Sequence, residues 1–130
     1  MKKLVCIVII MLLTLGVSIT ENILSTKYYT KIRDELEIID EYLMSNNFQE
    51  NKPIVSKKMN TLQENWNKNQ HLIMAFSNHA VIRTLDEKLI CIKAWIDNDK
   101  FDNAHEFCVT AIELTEDMID DTHLTLSNFL

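Results

Sequence analysis

Beyond residue 24, apolar side chains recur at helical spacing in four stretches. Tyr29, Ile32, Leu36, Ile39 and Leu43 step alternately by three and four, as a seam facing partner helices does. Val55, Met59, Leu62, Trp66, Ile73 and Phe76 form a second series, in which Asn69 occupies the one polar step. The third is Ile82, Leu85, Leu89, Ile92 and Ile96. Phe101, Ala104, Cys108, Ala111, Thr115 and Met118 make the fourth, and its small residues should let that helix approach its neighbours closely. Polar clusters at Ser45-Asn46-Asn47, Ser77-Asn78 and Asp97-Asn98-Asp99 separate the four, with Asp99 a candidate N-cap for the last. Pro53 falls in the first turns of the second helix, where a missing N–H costs little. Such short connections force antiparallel neighbours, so the pattern predicts an all-α fold, an antiparallel bundle of about four helices built as two hairpins. A shift of 53 residues lays Tyr42, Leu43 and Phe48 over Trp95, Ile96 and Phe101, a hint that the hairpins are alike.

The N-terminus is different. Lys2 and Lys3 precede an apolar run over residues 4–19, broken only by Thr14, Gly16 and Ser18. A positive tip before an apolar stretch marks residues 1–20 as a signal-anchor or transmembrane helix and leaves residues 21–130 as an extracytoplasmic helical domain. Two outcomes stay open. A helix over residues 4–24 reaches about 30 Å, one hydrocarbon core, which suits a retained single-pass anchor in the cell membrane. Alternatively, Gly16-Val17-Ser18 offers small residues for cleavage near Ser18 and secretion.

The C-terminus changes pattern again. Leu124, Leu126 and Leu130 alternate with Thr125, Ser127 and Phe129, which predicts an extended tail over residues 122–130. Left outside the four seams, Leu124, Leu126, Phe129 and Leu130 are the candidate residues for docking a partner.

Composition narrows function by exclusion. Apolar residues make up 47% and charged residues 25%, which is globular, while one Gly and one Pro exclude turn-rich β folds and phosphate-binding glycine loops. The net charge of −6 leaves no basic stripe for nucleic acid. From Arg83 onward 4 bases face 11 acids, so the domain is expected to stand off from an anionic bilayer. Cys91 and Cys108 flank the third turn at equal height and form a candidate disulfide, allowed outside the cytoplasm. Against it, packed helix axes lie ~8–10 Å apart whereas a disulfide wants Cα atoms within about 7 Å, so two buried thiols are the other reading. His71, His79, His105 and His123 show no metal-ligand spacing, and Glu116-Asp117 and Asp120-Asp121 lack the glycine of a calcium loop. No catalytic residue, metal ligand or cofactor site is expected, and Trp66 and Trp95 read as core residues.

Trp66, Asn78-His79 with the Ile82/Leu85/Leu89 series, Asp97-Asn98-Asp99-Lys100, and Leu124-x-Leu126-x-Asn128-Phe129-Leu130 together resemble the bacterial family catalogued as domain of unknown function 4363. The resemblance spans almost the whole chain. It implies a small, membrane-attached helical protein of Gram-positive bacteria and carries over no catalytic residue. Residues and resemblance together lead to the expectation of a non-enzymatic adaptor. It would be held in the cell membrane through residues 4–19 and bind another membrane or envelope protein. The alternative is a secreted or anchored ligand-sensing bundle, with a cavity lined by Trp66, Phe76 or Trp95.

Overall fold

The computed structural model describes residues 1–75 and 78–129, with side chains through Thr122. Four helices follow one another: α1 (Lys2–Leu43), α2 (Phe48–Met74), α3 (His79–Asp97) and α4 (Phe101–Phe129). There is no strand among the described residues. Each helix packs on its two neighbours in a closed ring, α1 on α2 and α4, α3 on α2 and α4, which is an up-down-up-down bundle. The core is the set of seams. Tyr29, Ile32, Leu36, Ile39 and Leu43 are all buried, as are Val55, Met59, Leu62, Trp66 and Ile73. The same holds for Ile82, Leu85, Leu89, Ile92 and Ile96, and on α4 for Ala104, Cys108, Ala111, Thr115 and Met118. Phe76 lies outside the described residues.

α4 packs more extensively on α1 and α3 than α2 does, in line with its small seam residues. Two cross-helix pairs set the register. Asp40 meets His105 between α1 and α4, and Trp66 meets Asp86 between α2 and α3. The far end of the bundle holds both hairpin turns, and there the Phe48 and Phe101 rings touch while Lys52 pairs with Asp99. Phe48 and Phe101 are the residues that the 53-residue shift superposes, so the two similar hairpins meet at their equivalent aromatic positions.

The expected border at residues 20/21 falls inside α1, one unbroken helix of 42 residues, and coverage by the bundle begins close to it, at Ser18. Glu21 and Asn22 are polar but break nothing, and the Thr20 and Thr26 hydroxyls donate to the carbonyls of Gly16 and Asn22 one turn back. The exposed apolar segment and the first bundle helix are therefore one element. Two expectations need correction. The first is the extended tail, because α4 stays helical to Phe129. Thr115, Met118, Thr122, Leu126 and Phe129 also step by three and four in the sequence, so the alternation of leucines masked a continuing helical period. The side chains of Leu124, Leu126 and Phe129, and the whole of Leu130, lie outside the described residues. The second is Asp99, which ends α3 rather than capping α4. With φ 59° it is the left-handed residue of a Schellman turn: its N–H bonds to Ile96 and that of Lys100 to Trp95. Asp tolerates that backbone better than most residues.

Candidate functional site

Three features at or near the surface have the makings of function: the uncovered half of α1, the polar joints inside the bundle, and the grooves between α1 and α2. Met1 and residues 2–17 of α1 are exposed throughout. Leu4, Ile7, Val8, Ile10, Met11 and Leu13 present bare aliphatic surface to the surroundings, and Gly16 has no neighbour against it. This is one long apolar N-terminal helix, compatible by length and composition with a membrane anchor or a signal. From Ser18 the helix begins to be covered, with Ser18, Ile19, Asn22 and Thr26 half-buried on the line that leads to Tyr29.

Just above that transition sits a polar joint. Trp66 is fully buried and its Nε1 donates to Asp86 Oδ1 at 2.8 Å. Its indole stacks on Tyr28, with centroids 6.3 Å apart and planes 23° apart. The Tyr28 hydroxyl donates to the Asn65 carbonyl at 3.4 Å and is also bonded by the Asn69 side chain. Burial pushes the Tyr28 phenol up to about 12, and the bond from Asn69 opposes that rise. The polar residue interrupting the second seam is thus the partner of a tyrosine on the neighbouring helix. Trp66 is an anchor of packing, and neither it nor Trp95 lines the two grooves described below.

A second joint ties α1 to α4. His105 Nδ1 lies 2.6 Å from Asp40 Oδ1, both groups being largely shielded from solvent. Cys108, one turn along α4, is fully buried, and burial, with the Asp40 carboxylate adding to it, pushes its thiol up to about 12. Such a thiol is held protonated and is a poor nucleophile. Cys91 and Cys108 are both free thiols, so the candidate disulfide is absent. Cys108 lies in the buried seam of α4, while Cys91 sits half-exposed beside Ile92 on α3. No group of three or more His, Cys, Asp or Glu that could hold a metal ion occurs among the described residues.

The grooves run along the α1–α2 seam. The wider one, about 500 Å³, has Ile38 and Ile54 on its walls beneath Glu35, Lys57 and Lys58. The other, about 310 Å³, lies at the end nearest the apolar half of α1 and is lined mainly by Leu24, Tyr28, Leu72 and Ile73, with Glu21 and Asn69. Sequence periodicity placed the core side of α1 and α2 but not these walls, because Ile38, Ile54, Leu24 and Leu72 fall off the seams. Their signal was an apolar residue on the polar face. Compared with known proteins, the chain matches no family model, no curated protein and no solved structure.

Proposed function

We propose that the protein is a membrane-anchored, non-enzymatic helical adaptor whose bundle binds another envelope protein. The observation that carries this reading is the unbroken α1, exposed and apolar over its first half and buried along a complete seam over its second. A continuous helix holds the bundle at a set height above the bilayer, as an adaptor requires. The docking half of the reading is supported by the wider groove, where Ile38 and Ile54 stay 43% and 45% exposed beside Glu35, Lys57 and Lys58. An apolar floor with a charged rim is the composition of a reversible protein interface. The C-terminal Leu124, Leu126, Phe129 and Leu130 are a second candidate contact. With Lys2 and Lys3 on the cytoplasmic side, the bundle lies outside the cytoplasm. The layout goes with the resemblance to domain of unknown function 4363.

The test is in two steps. Protease added to intact protoplasts should digest the bundle while a marker inside the cell survives; full protection reverses the topology, and a soluble chain starting near Ile19 shows cleavage. Cross-linking in membranes should then capture one partner with the native chain, and Ile54→Glu should abolish capture. Capture unaffected by Ile54→Glu but lost on removing residues 123–130 moves docking to the C-terminus. Loss with neither change refutes both surfaces.

A further inference from the structure

Leu24 and Leu72 are among the most exposed leucines of the bundle, at 62% and 66%, and both line the same 310 Å³ groove. Ile23, beside Leu24, is also exposed. Water is an unfavourable neighbour for such a cluster, and its position in the fold says what replaces it. Counting up α1 from Leu4, a helix reaches one hydrocarbon thickness, about 30 Å, at Leu24. The groove is therefore continuous with the apolar surface of the span and opens where the span leaves the membrane.

The charges above it agree. Lys27 is exposed one turn above Leu24 on the same face of α1, and Lys68 is exposed one turn above Leu72 on the same face of α2. After Glu64, α2 carries no acid, only Lys68 and His71. Tyr28, half-buried between the two helices, stands at the level where amphipathic rings collect in membrane proteins. An apolar ledge, an aromatic ring and then a belt of lysines is the order that an anionic bilayer meets from acyl chain to headgroup. Glu21 is the one acid on the groove wall. Of the other acids near this height, Asp86 on α3 accepts the Trp66 indole N–H, Glu87 is exposed on α3, and Asp117, Asp120 and Asp121 are exposed on α4, which stands diagonal to α2 in the ring.

We propose that the α1–α2 edge of the bundle base is seated in the bilayer interface, with an acyl chain of the surrounding lipid lying in the groove between Leu24 and Leu72 and headgroup phosphates beside Lys27 and Lys68. The inference rests on α1 being a membrane anchor. It replaces the expectation that the acidic domain stands off from lipid: the repulsion applies to the α4 edge, and the bundle leans on the other.

The test places a bimane fluorophore on single cysteines of the full chain. Cys6→Ser and Cys91→Ala remove the accessible thiols, while Cys108 stays, since it is fully buried and its removal would disturb the core. Labels go at Leu72→Cys, at Leu12→Cys inside the anchor, and at Ile90→Cys on the outer face of α3. The protein is reconstituted in phosphatidylcholine–phosphatidylglycerol vesicles containing phosphatidylcholine brominated near the top of its acyl chains. Circular dichroism on each labelled chain confirms the helical fold. The label at 72 should lose on the order of half its fluorescence, because an interfacial apolar face sits ~5–10 Å into the headgroup–acyl boundary, within reach of bromine. The label at 90 should lose almost none. Quenching at 12 with none at 72 overturns the seated base while leaving the anchor intact. No quenching at 12 overturns the anchor and the inference with it.

Discussion

Replacing Trp66 by Phe separates the two things the indole does, filling the core and holding Asp86. A phenyl ring keeps the face that stacks on Tyr28, so the loss reduces to the Nε1–Asp86 bond and the volume of the pyrrole ring. A hydrogen bond to a charged group contributes ~1.5–3 kcal/mol, and Asp86 is half-exposed and can recover water, which sets the lower end. The pyrrole volume, a few tens of Å³ at ~24 cal/mol per Å³, adds about 1 kcal/mol. Trp66→Phe should therefore cost about 2.5 kcal/mol in urea unfolding followed by circular dichroism of the full chain in detergent micelles. In an Asp86→Ala background the same change should cost only the cavity part, about 1 kcal/mol, leaving a coupling of roughly 1.5 kcal/mol. A coupling below about 0.5 kcal/mol, the usual scatter of independent sites, would refute the joint between α2 and α3 as argued.

Three further outcomes are expected. Ala111→Leu forces a larger side chain into the close α4 seam and should cost ~1–3 kcal/mol in the same assay, while exposed Glu113→Leu stays within about 0.5 kcal/mol. Stability should fall as pH rises through the alkaline range: the Cys108 thiol is raised from 9.0 to about 12, so the folded state keeps a proton the unfolded chain releases, and the contribution, full below pH 9, is lost towards 12. Tyr28, raised from 10.0 to about 12, adds a second fall beginning one pH unit later, so Cys108→Ala should flatten the first part of the decline and Tyr28→Phe the second. Asp99→Gly should be neutral within about 0.5 kcal/mol, because the turn needs a left-handed residue more than an exposed ion pair, whereas Asp99→Val should cost ~1–3 kcal/mol by melting temperature.

The seams were legible because each lies on one period and each is bounded by a polar cluster, so burial of Leu36, Met59, Leu89 or Ala111 follows from spacing alone. What periodicity cannot carry is register between helices. Nothing in the spacing of Asp40 or Asp86 says which residue sixty or twenty positions away stands opposite, so His105 and Trp66 acquired their partners only in three dimensions. Asn69 was visible as a polar step, yet its use, bonding Tyr28, depends on α1 and α2 being level there. The C-terminal segment misled because Leu124 and Leu126 alternate over too few residues to outweigh a helical frame already running through Met118 and Thr122. At residues 20/21 the composition changes while the backbone does not, so the sequence marks the limit of the apolar stretch without showing that one helix runs through it.

If the exposed half of α1 is held in a bilayer, as proposed, the unbroken helix also makes the azimuth of the bundle a property of that half. A helix turns about 100° per residue, so one residue inserted between the exposed and the buried halves would swing every bundle surface by that angle about the membrane normal, with only about 1.5 Å of lift. Seven inserted residues would raise it by about 10 Å yet return it to within about 20° of its starting direction. On that reading the protein behaves in the bilayer as a keyed shaft. A neighbour gripping the bundle from one side also fixes which face of the buried segment it meets among the lipids. Any torque applied at the far turns is delivered, through a shaft about 60 Å long, to the opposite leaflet.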